Sequence, residues 1–178
     1  MSETNIGPAP ILVLGIGNSL MGDDGVGVRL VEECARACSH GNNMVEFLEG
    51  GTQGLALLGR IADRSTLILL DAVALGEEPG SIHYLLNEQV LELGGRAATA
   101  HEANAGELLK TASLLGDLPG TIVLVGVEPA SIRTGIELSP AVKEAIPLAI
   151  EVALESVEDA LVRLRAPAKC RKAAPRNS

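Results

Sequence analysis

The sequence predicts an α/β protein, a three-layer α/β/α sandwich around a mostly parallel five-stranded sheet. Residues 11–14 and 67–70 are apolar runs without a polar position, which is typical of parallel strands buried on both faces. Segments with helical spacing of their apolar residues alternate with these and other strand-like runs, which favours a sheet covered by helices. The 178 residues, 47% of them hydrophobic, suit one domain of ordinary size, because single cores tend to split only beyond about 250–300 residues.

The N-terminal third is predicted to fold as a strand, a helix and a second strand. The first strand covers residues 11–14 and is closed by Gly15. Residues 25–38 are predicted to be a helix, because apolar residues recur there every three or four positions. The recurring residues are Val26, Leu30, Val31, Cys34 and Cys38. The second strand covers residues 44–48 and ends at Glu49.

The middle of the chain is predicted to hold a helix, a buried strand and an edge strand. Residues 53–63 place one apolar stripe on a helix, and residues 67–70 form a third strand that ends at a charged residue, Asp71. The members of the stripe are Leu55, Leu58, Ile61 and Ala62. Residues 81–86 indicate a shorter strand at or near the sheet edge, and residues 87–102 are expected to be irregular.

The C-terminal part is predicted to contain two helices around the last strand. Residues 104–115 form the first helix and residues 121–127 the strand. The long second helix opens at Ser139 and Pro140, with serine as N-cap and proline in the first turn, where its missing N–H is harmless. Pro147 is expected to bend this helix slightly. The inner side of the shorter helix comprises Ala105, Leu108, Leu109, Ala112 and Leu115. The buried stripe of the longer one comprises Val142, Ile146, Ile150, Leu154, Val157, Leu161 and Leu164.

The distribution of charge separates a domain from a tail. Residues 1–162 carry 8 Lys and Arg against all 23 Asp and Glu, whereas residues 163–178 carry 6 Lys and Arg and no acid. We therefore predict a single domain over residues 1–164 and a disordered basic tail over residues 165–178. A tail of this composition is also able to dock an acidic partner or a membrane surface, but a solvated end is favoured.

Composition argues against several classes of protein. A net charge of −9 and only two aromatic residues, Phe47 and Tyr84, argue against a nucleic-acid partner. No window of about 18 apolar residues occurs, so we expect no membrane insertion. The N-terminus shows no secretory pattern, and three cysteines without framework spacing favour a cytoplasmic protein; we also expect a monomer. Cys34 and Cys38, one helical turn apart, are compatible with a shared metal, but apolar packing is favoured.

The predicted ligand site is the crevice beyond the carboxyl ends of the first and third strands, where ligands bind in open α/β sheets. The loop after the first strand, GIGNSLMGDDGVG, does not fit the dinucleotide fingerprint, because Leu20 stands where a small residue is required. Helix capping accounts for one of the adjacent carboxylates Asp23 and Asp24, and the second suggests a cation. Asp71, buried at the end of the third strand, needs a hydrogen-bond partner or a metal, and a functional role is favoured.

Among the three histidines, His101 is the candidate ligand. It lies in AHEANAGELL ahead of a predicted helix, where a position in the crevice and a position on the surface are equally compatible. His40 is expected at the surface, and His83 packed or exposed within a strand. A set of two aspartates and one histidine leaves coordination positions open and suits Ni²⁺ or Zn²⁺ better than Ca²⁺. No GxSxG elbow, HExxH motif or phosphate-binding P-loop occurs, so the residues alone indicate a metal-binding α/β domain without a stated activity.

Five segments occur in the order found in the hydrogenase maturation proteases, and the chain resembles that family over about residues 10–160. The segments are LVLGIGNSLMGDDGVGVRLVE, EGGTQGLALL, LILLDAV, the stretch around His101, and LVGVEP with the following IELSP. The resemblance implies an α/β/α fold and an endopeptidase, of aspartyl type, that removes the C-terminal extension from the large-subunit precursor of nickel–iron hydrogenase. It also implies metal ligands at Asp24, Asp71 and His101.

The resemblance further implies that nickel already placed in the precursor is the recognition signal, so that the substrate supplies the Ni²⁺. The family usually has Asp before Gly-Gly-Thr, where this chain has Glu49, a carboxylate that reaches one methylene further. Asp23 and Glu49 are the candidates for the general base that activates water. Two other functions stay open: a non-catalytic, nickel-checking hydrogenase assembly chaperone, and a flavodoxin-like nucleotide-binding domain.

Overall fold

A computed structural model describes residues 7–38, 43–93 and 102–166. Within these ranges the strands are β1 (Ile11–Ile16), β2 (Val45–Gly51), β3 (Thr66–Ala72), β4 (Ile82–Leu86) and β5 (Thr121–Val127). They form one sheet in the order β2-β1-β3-β5-β4. All neighbours are parallel except β4, which pairs antiparallel with β5 at the edge. The predicted mostly parallel five-stranded sheet, with β1 beside β3, is confirmed.

Helices cover both faces of this sheet. The described α-helices are α1 (Val26–Ala37), α2 (Leu58–Ile61), α3 (Glu88–Leu93), α4 (Glu102–Leu115) and α5 (Pro140–Arg165). Ile11 and Val13 of β1 share a core with α1 and α5, whereas Leu12 and Leu14 point the other way, into a core with α2, α3 and α4. Successive residues of a strand face opposite sides of its sheet, so each strand contributes to both cores. The predicted three-layer sandwich is therefore confirmed.

The segment predicted as a helix over residues 53–63 is shorter than expected. A 3-10 helix, Gly54–Leu57, leads into the single turn of α2. Because a 3-10 helix has three residues per turn, the side chains are rotated relative to the predicted stripe. Leu57 and Ile61 are buried, and Leu55 is 42% exposed. The prediction of a buried Leu55 is wrong.

The segment over residues 87–102, predicted as irregular, contains α3. Asn87 precedes this helix with a positive φ of 43°, and its side-chain oxygen accepts the backbone N–H of Ile122. Helix α3 has only six residues, of which Val90 alone is buried. A helix this short shows no apolar period in the sequence. Helix α4 begins in the same region. Leu108, Leu109 and Ala112 are buried as predicted and Ala105 is partly buried, but Leu115 is 62% exposed, so its assignment to the inner side is wrong.

The long C-terminal helix α5 begins at the predicted position. The hydroxyl of Ser139 accepts the backbone N–H of Val142, so serine is the N-cap. The residues buried most deeply against the sheet are mainly small: Val142, Ala145, Ala149, Ala153, Val157, Ala160 and Leu161. The larger residues of the predicted stripe, Ile146, Ile150, Leu154 and Leu164, are only partly buried and pack around this row. Alanine at the contact lets the helix lie close to the sheet.

Two sequence predictions fall at the edge of the described chain. The helix runs to Arg165, and the predicted basic tail lies almost wholly outside the described residues, so the domain boundary stays a prediction.

Among the described helices, none combines the length and the low charge content that a membrane-spanning helix needs.

Candidate functional site

The loop after β1 folds back onto the carboxyl ends of the parallel strands. A Cβ atom at Gly27, in the first turn of α1, would lie 2.2 Å from the carbonyl oxygens of both Ile16 and Leu70. The helix therefore begins directly on the ends of β1 and β3, an approach that no larger residue permits. Gly17 has φ of 128°, and a Cβ there would lie 1.9 Å from the carbonyl oxygen of Asp24. Because glycine has no side chain at these two positions, the acidic part of the loop lies directly against the sheet edge.

The structure brings Asp24 and Asp71 to this edge. Asp24 lies in a 3-10 helix, Gly22–Gly25, that contacts β3, and Asp71 is the next-to-last residue of that strand. Both are buried. Oδ2 of Asp24 accepts the backbone N–H of Asn18 at 2.7 Å, and Oδ1 of Asp71 accepts that of Ala72 at 2.8 Å. Hydrogen bonds to the ionised form offset the cost of burying a carboxylate, so both side chains are held at the topological switch point of the sheet.

Asp71 also faces the first turns of α4. It lines a small cavity of about 30 Å³ together with Ala105 and Gly106 of that helix. His101 immediately precedes α4 but lies outside the described residues. Within the described ranges, no three His, Cys, Asp or Glu residues form a group able to hold a metal ion. The structure thus places two of the three predicted ligands at one edge, and the complete set stays a prediction.

Asp23, one of the two candidates for general base, holds a distant loop in place. Its Oδ2 accepts the backbone N–H groups of Ala130 and Ser131 at 2.9 and 3.1 Å, and its Oδ1 accepts that of Ser139 at 2.6 Å. The side chain is buried. With both oxygens accepting backbone hydrogen bonds, this carboxylate ties the loop after β1 to the loop between β5 and α5. The capping role expected for one of the two aspartates is wrong, because the N-cap of α1 is Gly25 and no side chain caps this helix. Asp23 instead accepts the backbone N–H of Ser139, which is itself the N-cap of α5.

Glu49, the other candidate, occupies the opposite face of the sheet from Asp71. It is an exposed residue near the end of β2, in line with Val45 and Phe47, which pack toward α1 and α5. Asp71 aligns instead with Leu69, on the face covered by α4. β1 lies between the two strands, so about 10 Å separates β2 from β3 at the usual strand spacing. The structure does not place Glu49 beside Asp71.

A further pair, buried Glu128 and partly buried His83, lies at the end of β5 and was not predicted from the sequence. Glu128 accepts hydrogen bonds from the backbone N–H groups of Leu75 and Gly76 and lies 2.8 Å from Nε2 of His83. Burial opposes ionisation of this carboxylate, but the two N–H donors and His83 outweigh burial, and the pKa of Glu128 is lowered. The pair fixes the loop that leaves β3 just after Asp71. Its signal in the sequence is an acid that directly follows an apolar run of residues, as Asp71 follows residues 67–70.

Cys34 supports the packing interpretation of the cysteine pair. It is fully buried in the core between α1 and the sheet. Burial raises the pKa of its thiol to about 12, so the thiol stays protonated near neutral pH. A protonated, buried thiol is a poor nucleophile and a poor metal ligand.

Comparison with known proteins identifies the family. The model of the hydrogenase maturation protease family matches residues 28–156 of the chain, which is most of the domain. The chain belongs to the hydrogenase maturation protease family. The resemblance carried by the five ordered segments is thereby confirmed.

Curated relatives of this maturation protease agree with the family model. The hydrogenase expression/formation protein HupD of Thiocapsa roseopersicina is 42% identical over 147 residues, which are 82% of this chain and 66% of that protein. The hydrogenase 2 maturation protease of Escherichia coli is 36% identical over 150 residues, 84% of this chain and 91% of that protein. The matched part thus spans about two thirds of the Thiocapsa protein and nearly all of the Escherichia coli one.

Solved structures agree as well. The hydrogenase maturating endopeptidase HybD from Escherichia coli superposes with a TM-score of 0.78 at 35% sequence identity, covering 84% of this chain and 93% of that one. The NiFe hydrogenase maturation protease HybD from Thermococcus kodakarensis superposes with a TM-score of 0.65 at 28% identity, over 82% and 97% of the two chains. The sandwich is therefore the fold of this family.

Proposed function

We propose that this maturation protease is an endopeptidase that removes the C-terminal extension from the large-subunit precursor of a nickel–iron hydrogenase after nickel insertion. Family membership supports the peptide hydrolase activity. The observation that carries the rest is the pair of buried carboxylates, Asp24 and Asp71, at the point where connections leave β1 and β3 in opposite directions. Two acids held there by backbone donors favour a cationic ligand.

The cation in this proposal is the nickel of the precursor, and it is part of the substrate. Asp24, Asp71 and His101 would together offer two carboxylate oxygens and one imidazole nitrogen, which suit Ni²⁺. Three protein ligands leave positions for groups of the precursor itself. The start of α4 beside Asp71 supports including the residue that precedes this helix.

Glu49 is the better candidate for the general base. The oxygens of Asp23 accept three backbone hydrogen bonds, and taking a proton from water would weaken them. Glu49 is exposed and lines an open groove beside the loop after β1. In hydrolysis the base removes a proton from water as its oxygen bonds to the scissile carbonyl carbon, and the proton is then delivered to the departing amide nitrogen.

Because Glu49 and Asp71 are separated, our proposal has them contact different parts of the precursor. Nickel would be held on the side of β3 and α4, and the scissile bond would lie toward β2, about two strand spacings away. This arrangement fits a peptide bond that follows the metal-binding segment in sequence instead of being part of it. Nickel then acts by positioning the precursor.

The test uses one purified precursor prepared with and without nickel. We expect a loss of mass equal to the C-terminal extension from the nickel-loaded form, and no change in the nickel-free form. Equal cleavage of both forms would show that nickel is not the signal. A stable complex with the nickel-loaded precursor that never loses mass would support the non-catalytic chaperone instead.

A further inference from the structure

Hydrogen bonds join the loop after β1 and the loop before α5 into one platform that presents two exposed apolar side chains. The backbone N–H of Gly22 donates to the carbonyl oxygen of Gly135 at 2.7 Å, and the N–H of Gly135 donates to that of Leu20 at 2.9 Å. Asp23 adds three further bonds between the same two loops, the shortest to Ser139. Leu20 is 64% exposed and Ile136, next to Gly135, is 77% exposed.

These two side chains flank a groove between α1 and α5. The groove has a volume of about 770 Å³, and its wall includes Val28, Leu138 and Ile146. Glu49 lines it at the end toward β2, so the groove is continuous with the place proposed for the scissile bond. Exposed apolar side chains beside a concave surface with a polar rim mark sites where a partner binds.

The rim of the groove carries an excess of negative charge. Its carboxylates are Glu32, Glu33, Glu49 and Glu137, and its cations are Arg29 and Lys143. Both cations already have partners within the groove, Arg29 with Glu33 at 2.9 Å and Lys143 with Glu137 at 2.6 Å. Arg36, outside the lining, pairs with Glu32 at 3.5 Å and Glu33 at 3.0 Å, so four carboxylates face three cations and the excess is one negative charge. A segment with apolar side chains and a net positive charge complements this surface.

We infer that this groove, the extension groove, binds the C-terminal extension of the hydrogenase precursor as an extended segment, with apolar side chains on Leu20 and Ile136 and basic side chains along the rim. The inference rests on the proposed function and adds the recognition of the removed peptide to that of nickel. Because backbone hydrogen bonds and Asp23 hold the platform before any ligand arrives, binding requires little ordering of the enzyme. An extension bound in this groove would pass Glu49, while the nickel of the precursor would be held on the other side of β1.

The test compares binding of two nickel-loaded probes, the intact precursor and the mature large subunit without its extension. The variant is Leu20→Ser with Ile136→Ser, and the control is Leu114→Ser on α4, where the side chain is 88% exposed. We expect the double variant to raise Kd and KM for the precursor about tenfold or more, which corresponds to losing apolar contacts worth about 1.4 kcal/mol. Its affinity for the mature subunit, its kcat and its thermal unfolding should match those of the control.

A second variant tests the charge of the occupant. Glu137→Lys reverses one rim carboxylate, and we expect weaker precursor binding at low salt, with the difference shrinking as salt is added. Unchanged Kd for the precursor in both variants would overturn the inference, and so would an equal loss of affinity for precursor and mature subunit. If the double variant instead shifts a concentration-dependent dimer of this protease to monomer, the groove is an interface between copies and the inference is wrong. Absence of cleavage by the wild-type enzyme would contradict the proposed function, whereas the binding comparison still decides the groove.

Discussion

Oδ1 of Asp23 accepts a hydrogen bond from the backbone N–H of Ser139 at 2.6 Å, across 116 residues of sequence. Ser139 is the N-cap of α5, so one side chain joins the loop after β1 to the start of the last helix. The neighbouring Asp24 accepts from Asn18 within its own loop instead. Although the two aspartates are adjacent in sequence, Asp23 connects two loops, whereas Asp24 lies at the edge of the sheet.

Asp23→Asn is expected to destabilise the fold more than it changes the chemistry. An amide NH₂ would face a backbone donor where the carboxylate oxygen accepts now, and a buried donor without an acceptor costs free energy. We expect a loss of about 3 kcal/mol in the free energy of unfolding, measured by urea denaturation. The exposed Glu77→Gln serves as control and should leave stability within about 0.5 kcal/mol of wild type. Wild-type stability with abolished cleavage would instead assign Asp23 to the reaction.

Asp24→Asn, Asp71→Asn and His101→Ala are each expected to abolish processing of the nickel-loaded precursor. The asparagines keep an oxygen for the backbone donors but lose the negative charge that is proposed to hold a cation. Because both positions are buried, circular dichroism of each variant serves to check that it is folded. Mass spectrometry of the large subunit measures the processing. Near-normal processing by a folded His101→Ala protein would remove the histidine from the ligand set.

Glu49→Gln is expected to lower kcat by about 100-fold or more, because loss of a general base costs that much in related reactions. Glu49→Asp restores the acid usual in the family and should retain most of the activity. For Glu49→Gln, KM should change much less than kcat, because only one of the four rim carboxylates is lost. A Glu49→Gln enzyme with wild-type kcat would show that another group activates the water.

Gly27→Ala is expected to be severely destabilising, by about 3 kcal/mol or more, because the new methyl group would meet two backbone oxygens that cannot rotate away. Gly59 offers a matched control, since a Cβ there meets nothing within 4 Å. Gly59→Ala in α2 should be neutral or stabilising by up to about 1 kcal/mol. Chemical denaturation of both variants measures the difference. Similar stability for the two variants would mean that α1 does not sit directly on the strand ends.

Glu128→Gln tests the pair of Glu128 and His83 at the end of β5. The pKa of Glu128 is lowered in the folded protein, so as pH falls through its ordinary value near 4.5 the unfolded chain takes up the proton first. The stabilisation is complete above that value and is lost as pH drops through the folded pKa. At pH 7 we expect the free energy of unfolding of the wild-type protein to exceed that of Glu128→Gln by about 2 kcal/mol. This difference should shrink as the pH is lowered into the acid range. A gap that stays constant from pH 7 to pH 3 would contradict this assignment.

Much of the fold followed from local patterns. Apolar runs predicted β1 and β3 because a strand covered by helices on both faces has no solvent-facing position. Ser139 and Pro140 predicted the start of α5 because an N-cap and a first-turn proline act within one turn. Helix α3 and the exposure of Leu55 and Leu115 escaped prediction, because short or terminal helical turns depend on what packs against them and carry too few residues for a period.

The candidate site divides in the same way. Sequence patterns were enough to predict the family and to place Asp24 and Asp71 at one edge of the sheet, because the carboxyl ends of parallel strands lie on one side and both residues follow or end such a strand. Three relationships became visible only in the folded chain: Asp23 holds the loop before α5, Glu49 and Asp71 occupy opposite faces of the sheet, and Leu20 and Ile136 flank one groove. Those relationships join residues from distant parts of the chain through hydrogen bonds and the alternation of side chains across a sheet. Such contacts depend on which distant segments the fold brings together, and no local pattern of residues encodes that arrangement.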